Sequence, residues 1–253
     1  MPQESEVEEA MGMSRHRPWV RLTHWLIALS VVVLIFSGVT ILMAHPRLYW
    51  GNAGNGLITP LLEIPLGPNS HATAWSPRTP FFGVGGPDTA DRLAEPWNQN
   101  GWARSLHFLA AWLFLVGLLS YLSIGLLTDH ARRVLMPQRR ELRRENLWRD
   151  IRAHLHLPMP AAKPGPPYSI LQKLAYSGVA FVALPLMFLT GISMSPAITA
   201  SYPLLPDIFG GTQSARTIHF FTFSFVALFL LVHLVMIVLT GPARQLRAMV
   251  RGN

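Results

Sequence analysis

Residues 218–240 read IHFFTFSFVALFLLVHLVMIVLT. No Asp, Glu, Lys or Arg occurs in this run, and it is about the 20 residues needed to cross a bilayer core. Two histidines interrupt it, His219 and His233. At about 100° per residue, the fourteen steps between them return to within about 40° of the start, so both face one side of a helix. At about 1.5 Å of rise per residue they are about 21 Å apart along it, one near each membrane face. An ionisable side chain inside a membrane is costly, which makes these histidines functional candidates.

Three further stretches have the same character: Val20–Met43, Leu106–Leu127 and Ile170–Met194. Their interiors are free of charge, with Lys173 at the very start of the third. The chain as a whole is 50% hydrophobic and 13% charged, about half the charge of a soluble domain. Disorder is excluded by the apolar content, and a soluble globule by the scarcity of charge. The expected fold is an all-α integral membrane protein, a four-helix transmembrane bundle with a long irregular outer loop. It follows an acidic, disordered tail (residues 1–14) as one domain over residues 15–253.

Orientation follows the basic residues. Arg15 and Arg17 precede the first span and Arg21 sits at its start, nine Lys or Arg fall in 128–169, and Arg244, Arg247 and Arg251 follow the last. These regions share one side, so both termini are expected in the cytoplasm. The net charge of +8 therefore reads as topology and not as nucleic-acid binding. The outer connection 44–103 has eight Pro and eight Gly and reads as an ordered irregular loop, a docking surface or a floppy loop. Its Trp50, Trp75, Trp97 and Trp102 suit an interfacial belt. In the inner connection, Gln138–Leu157 reads as a basic helix, either on an anionic lipid surface or simply solvated.

The chain has ten histidines and no cysteine. That removes disulfides, cysteine-held zinc, iron–sulfur clusters and covalent c-type haem. Four histidines lie within spans, and antiparallel threading sorts them by depth. His24 and His233 fall near the inner face, His107 and His219 near the outer. Two imidazoles from facing helices suit the axial positions of a b-type haem, and two such pairs imply two haems b. Zinc would want three or four ligands. Arg21, Arg104 and Arg216 each precede one of these histidines by three residues, one turn along the same face. Arg104 and Arg216, on the outer side against the usual bias, suit haem propionates by charge-assisted hydrogen bonds; Arg21 either does the same or marks a span end. The third span has no histidine and reads as a packing helix, kinked near Gly178, Pro185 and Gly191. At its inner end Gln172, Lys173 and Tyr176 either form a quinone site or anchor the span at the interface.

The order of histidines over the spans and the phrases RLTHW (21–25), HPRLYWG (45–51), LQKLAY (171–176), LTGISMSP (189–196) and FGGTQSARTIHF (209–220) carry a family resemblance. Residues 15–250 resemble the dihaem cytochrome b subunits of bacterial hydrogenases, formate dehydrogenases and thiosulfate reductases, the thiosulfate-reductase-like branch most closely. The resemblance implies a non-catalytic membrane subunit that passes electrons between quinone and a catalytic oxidoreductase subunit, often a molybdenum enzyme on the outer face. It implies His24, His107, His219 and His233 as haem ligands. Two rival readings are a histidine-relay proton or ion transporter, which the lack of intramembrane carboxylates opposes, and a haem-free anchor of a redox complex.

Overall fold

The computed structural model describes residues 17–55, 58–64, 82–83, 101–138, 140–155 and 169–252. The expected tail 1–14, Trp75, Trp97 and the end of the basic helix after residue 155 lie outside them. Four long apolar helices are present: α1 (Pro18–Ala44), α2 (Gly101–Leu127), α4 (Ile170–Ile192) and α6 (Thr212–Thr240). The shorter elements are strands β1 (Arg47–Leu48), β2 (Leu62–Glu63) and β3 (Phe82–Gly83), with helices α3 (Arg144–Leu155), α5 (Pro196–Ser201) and α7 (Pro242–Arg251). The all-α membrane architecture expected from the sequence is the one found.

The side chains of the spans are sorted for lipid. Leu22, Leu29, Val32, Phe36, Leu228 and Val238 are exposed, whereas Ser30, Ser37, Thr190 and Ser193 are buried. Large apolar groups outside and small groups at helix contacts are what close packing within a bilayer requires. The buried hydroxyls donate to their own helices: Ser30 to the Leu26 carbonyl at 2.8 Å and Ser193 to that of Leu189 at 2.8 Å. In α4, Pro185 has no N–H to donate back along the helix. The turn just before it, Val179–Ala183, is a π-helix that ends with the Leu184 N–H bonded to the Val179 carbonyl. The irregularity expected near Pro185 takes this form.

The chain forms two compact units, each containing part of every span. The termini-bearing unit comprises Met1–Trp25, Gly117–Leu184 and Val226–Asn253; the loop-bearing unit comprises Leu26–Val116 and Pro185–Phe225. In the termini-bearing unit, α7 returns to the start of α1, where the Trp25 indole donates to the Met249 carbonyl at 3.1 Å. Asp150 of α3 accepts from the Leu171 N–H at 2.9 Å, satisfying a free donor at the start of α4. The Ser177 hydroxyl donates to the Leu135 carbonyl at 2.8 Å.

In the loop-bearing unit, α6 begins at Thr212, well before the apolar run. Its polar first turns are buried against residues 49–52. The Gly51 carbonyl accepts from the Gln213 and Ser214 N–H groups at 2.9 and 3.2 Å, and the Asn52 side chain accepts from the Thr212 N–H at 3.1 Å. The Thr217 hydroxyl donates to the Tyr49 carbonyl at 2.6 Å. Gly211, at φ +115°, is needed here because a Cβ would lie 2.5 Å from the Gly51 backbone. The connection beyond is not wholly irregular. It carries a three-stranded sheet in the order β1-β2-β3, with β1 antiparallel and β3 parallel to β2.

These strands are too short to hold by their ladder alone. Arg47 and Glu63 face each other across β1 and β2 and form an ion pair at 2.9 Å, with side-chain exposures of 5% and 0%. Removing one partner of such a pair strands a buried charge, which costs about 3–5 kcal/mol, whereas replacing both with apolar groups is often neutral. Glu63→Ala is therefore expected to lower the thermal unfolding midpoint of the purified protein strongly, and Arg47→Met/Glu63→Leu to restore most of the loss. Equal midpoints for the single variant and the wild type would refute this.

Candidate functional site

The loop-bearing unit brings His107 of α2 and His219 of α6 opposite each other. Their ring centroids are 6.4 Å apart with planes at 62°. The Ser37 hydroxyl oxygen of α1 lies 2.9 Å from His107 Nδ1, and the Thr190 hydroxyl oxygen of α4 lies 2.9 Å from His219 Nδ1. Both Nδ1 atoms are engaged on neighbouring helices, so the opposite nitrogens are the ones available to a metal. An imidazole centroid lies about 1.2 Å from its own nitrogens and a metal–nitrogen bond is about 2.0 Å, so two rings on opposite sides of one ion have centroids about 6.4 Å apart. The observed spacing matches. Among the described residues no cluster of three or more His, Cys, Asp or Glu could hold a metal ion. The donor set fits haem iron.

One turn from these histidines, Arg104 and Arg216 converge on His45. Arg104 Nη2 lies 3.2 Å from His45 Nε2, and Arg216 donates to the His45 carbonyl. The arginine pattern is visible in the sequence; the role of His45 in joining the two is not, because it lies outside the spans. The Ser37 and Thr190 hydroxyls were also missed. The only signal was their place in FSGV (36–39) and LTGI (189–192), two similar phrases on two different spans.

His24 and His233 both belong to the termini-bearing unit. His24 meets Trp25 edge-on at 5.4 Å. His233 stacks on Phe229, with centroids 5.9 Å apart and planes at 15°, and Tyr176 meets it edge-on at 6.5 Å. Arg21 donates from Nη1 to the Val250 carbonyl at 3.1 Å, at the C-terminal end of α7. Its buried Nε–H has no hydrogen-bond partner among the described residues, so this donor is left for an anionic acceptor such as a propionate.

Of the three residues read as a quinone site, two are held by structural bonds. Gln172 closes a capping box with Ser169, its Oε1 accepting from the Ser169 N–H at 3.0 Å. Lys173 is buried and forms an ion pair with Glu141 at 2.7 Å. Tyr176 lies against Phe229 and His233.

A family profile, prokaryotic cytochrome b561, matches residues 15–252. The chain belongs to this family. This cytochrome is accordingly a membrane haem b electron-transfer protein. It is 26% identical over 242 residues to the "Putative protein-methionine-sulfoxide reductase subunit YedZ1" of Azospira oryzae, covering 94% of this chain and 96% of that one. No solved structure matches the cytochrome.

Glu141, outside the spans, is held below the usual carboxylate range, first by its hydrogen bond from Lys173 and then by one from the Gln138 backbone. A carboxyl with a depressed folded pKa stabilises the fold above its unfolded pKa of about 4.3, and that contribution is lost as pH falls through the folded value. Thermal midpoints followed from pH 7 to pH 3 should therefore decline for the wild type below about pH 4.3. Glu141→Gln should start lower at pH 7 and decline less over the acid range. Parallel curves for the two proteins would exclude the assignment.

Proposed function

We propose that this cytochrome is the electron-transfer subunit of a membrane oxidoreductase and carries two haems b, each between two histidines. His107 and His219 hold the outer haem, and His24 and His233 the inner one. The observation that carries the reading is the 6.4 Å separation of the His107 and His219 rings, with Nδ1 of each on a neighbouring helix. The basic residues at the termini and in 128–169 support cytoplasmic termini in a bacterial inner membrane.

Bound haem iron supplies one-electron redox chemistry. The protein supplies ligands, spacing and charge. Arg104 and Arg216 offer cationic groups for the propionates of the outer haem, and Arg21 Nε does the same for the inner one. Quinone exchanges electrons on the inner side. Tyr176 is the best-placed contact for it, with Gln172 and Lys173 holding that end of α4 through the capping box and the Glu141 pair. Electrons would pass between the group held by His107 and His219 and a catalytic subunit on the outer face. The name of the Azospira oryzae relative supports a reductase in that role, and the resemblance of the sequence motifs supports a molybdenum enzyme.

The test is haem content per chain and the reduced-minus-oxidised spectrum of purified protein, with each of the four histidines changed to Ala. Wild type should contain two six-coordinate b haems. His107→Ala and His219→Ala should each abolish one and the same spectral component, and His24→Ala and His233→Ala the other. One haem in the wild type, or loss of different components within a pair, would defeat the proposal.

A further inference from the structure

Ser37-Gly38 on α1 and Thr190-Gly191 on α4 make the same arrangement twice. In each, the hydroxyl oxygen lies 2.9 Å from a histidine Nδ1. In each, the following glycine lies against the same ring. A Cβ at Gly38 would be 3.3 Å from His107 Cε1, and one at Gly191 would be 3.5 Å from His219 Cε1. The dipeptide therefore grips one edge of the imidazole at two adjoining ring atoms.

The helix favours one direction for each hydrogen bond. A hydroxyl has one proton and two lone pairs. The Ser37 hydroxyl donates to the Val33 carbonyl at 2.7 Å, and the Thr190 hydroxyl to the Leu186 carbonyl at 2.7 Å, the local bond that Ser and Thr make in helices. In that arrangement each hydroxyl accepts from its histidine, Nδ1 carries the ring proton, and Nε2 keeps the lone pair that can bind iron.

Resting on the two-histidine reading of the outer haem, we infer that Ser37-Gly38 and Thr190-Gly191 are matched positioning brackets that set the tautomer, ring orientation and electron donation of His107 and His219. They thereby tune one haem without touching the other. Accepting a hydrogen bond from Nδ1–H raises the basicity of the ring. A more basic ligand favours ferric iron and lowers the potential. His233 of the inner pair has other contacts, meeting Phe229 by ring stacking and Tyr176 by an edge. The two irons are therefore distinguishable by variants at these four positions. Gly38 is the more constrained glycine, because a contact of 3.3 Å forces the ring to yield and one of 3.5 Å does not.

The test uses full-length protein in nanodiscs, with redox titration of both haems, electron paramagnetic resonance of the ferric state and haem transfer to apomyoglobin. Ser37→Ala and Thr190→Val should each raise the midpoint potential of one haem, the same one in both, and leave the other unchanged. That haem should also be lost roughly tenfold faster or more. Thr190→Ser and Ser37→Thr keep the hydroxyl and should stay close to wild type. Gly38→Ala should change the ferric resonance of that haem more than Gly191→Ala does.

Unmoved potentials in both hydroxyl variants would overturn the inference, as would equal shifts of both haems. Loss of both haems from both variants would also overturn it, by making the hydroxyls folding elements. His107→Ala separates this failure from that of the underlying reading. If it removes one haem while Ser37→Ala and Thr190→Val change nothing, only the brackets fail. If it leaves two haems in place, the two-histidine reading itself falls.

Discussion

A polar group buried among lipid-facing helices must find its partner inside the protein, because no water is there to serve. Several serines and threonines of the spans meet this demand locally by donating to a carbonyl one turn back, as Ser30 and Thr222 do. An imidazole cannot. Its nitrogens reach away from its own helix and must be met by a neighbour. His107 on α2 is met by α1 through Ser37, and His219 on α6 is met by α4 through Thr190. All four spans are drawn into the loop-bearing unit by two residues, and those residues are the candidate ligands. Helix packing there and the site are consequences of one requirement.

The same requirement acts at the helix ends. The first turn of α6 exposes N–H groups that no apolar run can satisfy. The chain meets them with Gly51 and Asn52, far away in sequence. Arg104 and Arg216 then lie beside the same segment, both on His45. A strap formed to close a helix end thus holds two cations one turn from the facing histidines. Arg47 and Glu63 stiffen the connection just beyond it, with each charge neutralising the other where water is excluded.

What could be read in advance was whatever depends on composition along one helix. Four spans follow from hydropathy, and the depth sorting of His107 with His219 follows from threading direction. What depends on the contact of two distant segments was not legible. The apolar run begins at Ile218, whereas α6 begins at Thr212, and only the strap makes the polarity of Thr212–Thr217 compatible with burial. Ser37 and Thr190 look like any hydroxyl in a membrane helix until a histidine is found opposite. Gln172 is open in the sequence between a quinone contact and an interfacial anchor. Ser169 three residues earlier spells a capping box, and the structure forms it.

Four histidines of one kind are enough to make two unlike sites, provided that their surroundings differ. A hydrogen bond at Nδ1 changes the electron density that the opposite nitrogen offers. A stacked phenyl ring, such as Phe229 on His233, restrains the orientation of the imidazole but accepts no proton from it. Under the two-haem reading, the hydroxyls at Nδ1 would tune the outer iron, and the Phe229 stack would orient one ligand of the inner one. A difference in potential between two sites on one conduit biases the electron toward one end. Such a bias needs no change of ligand, only a hydroxyl and a glycine on the helix alongside.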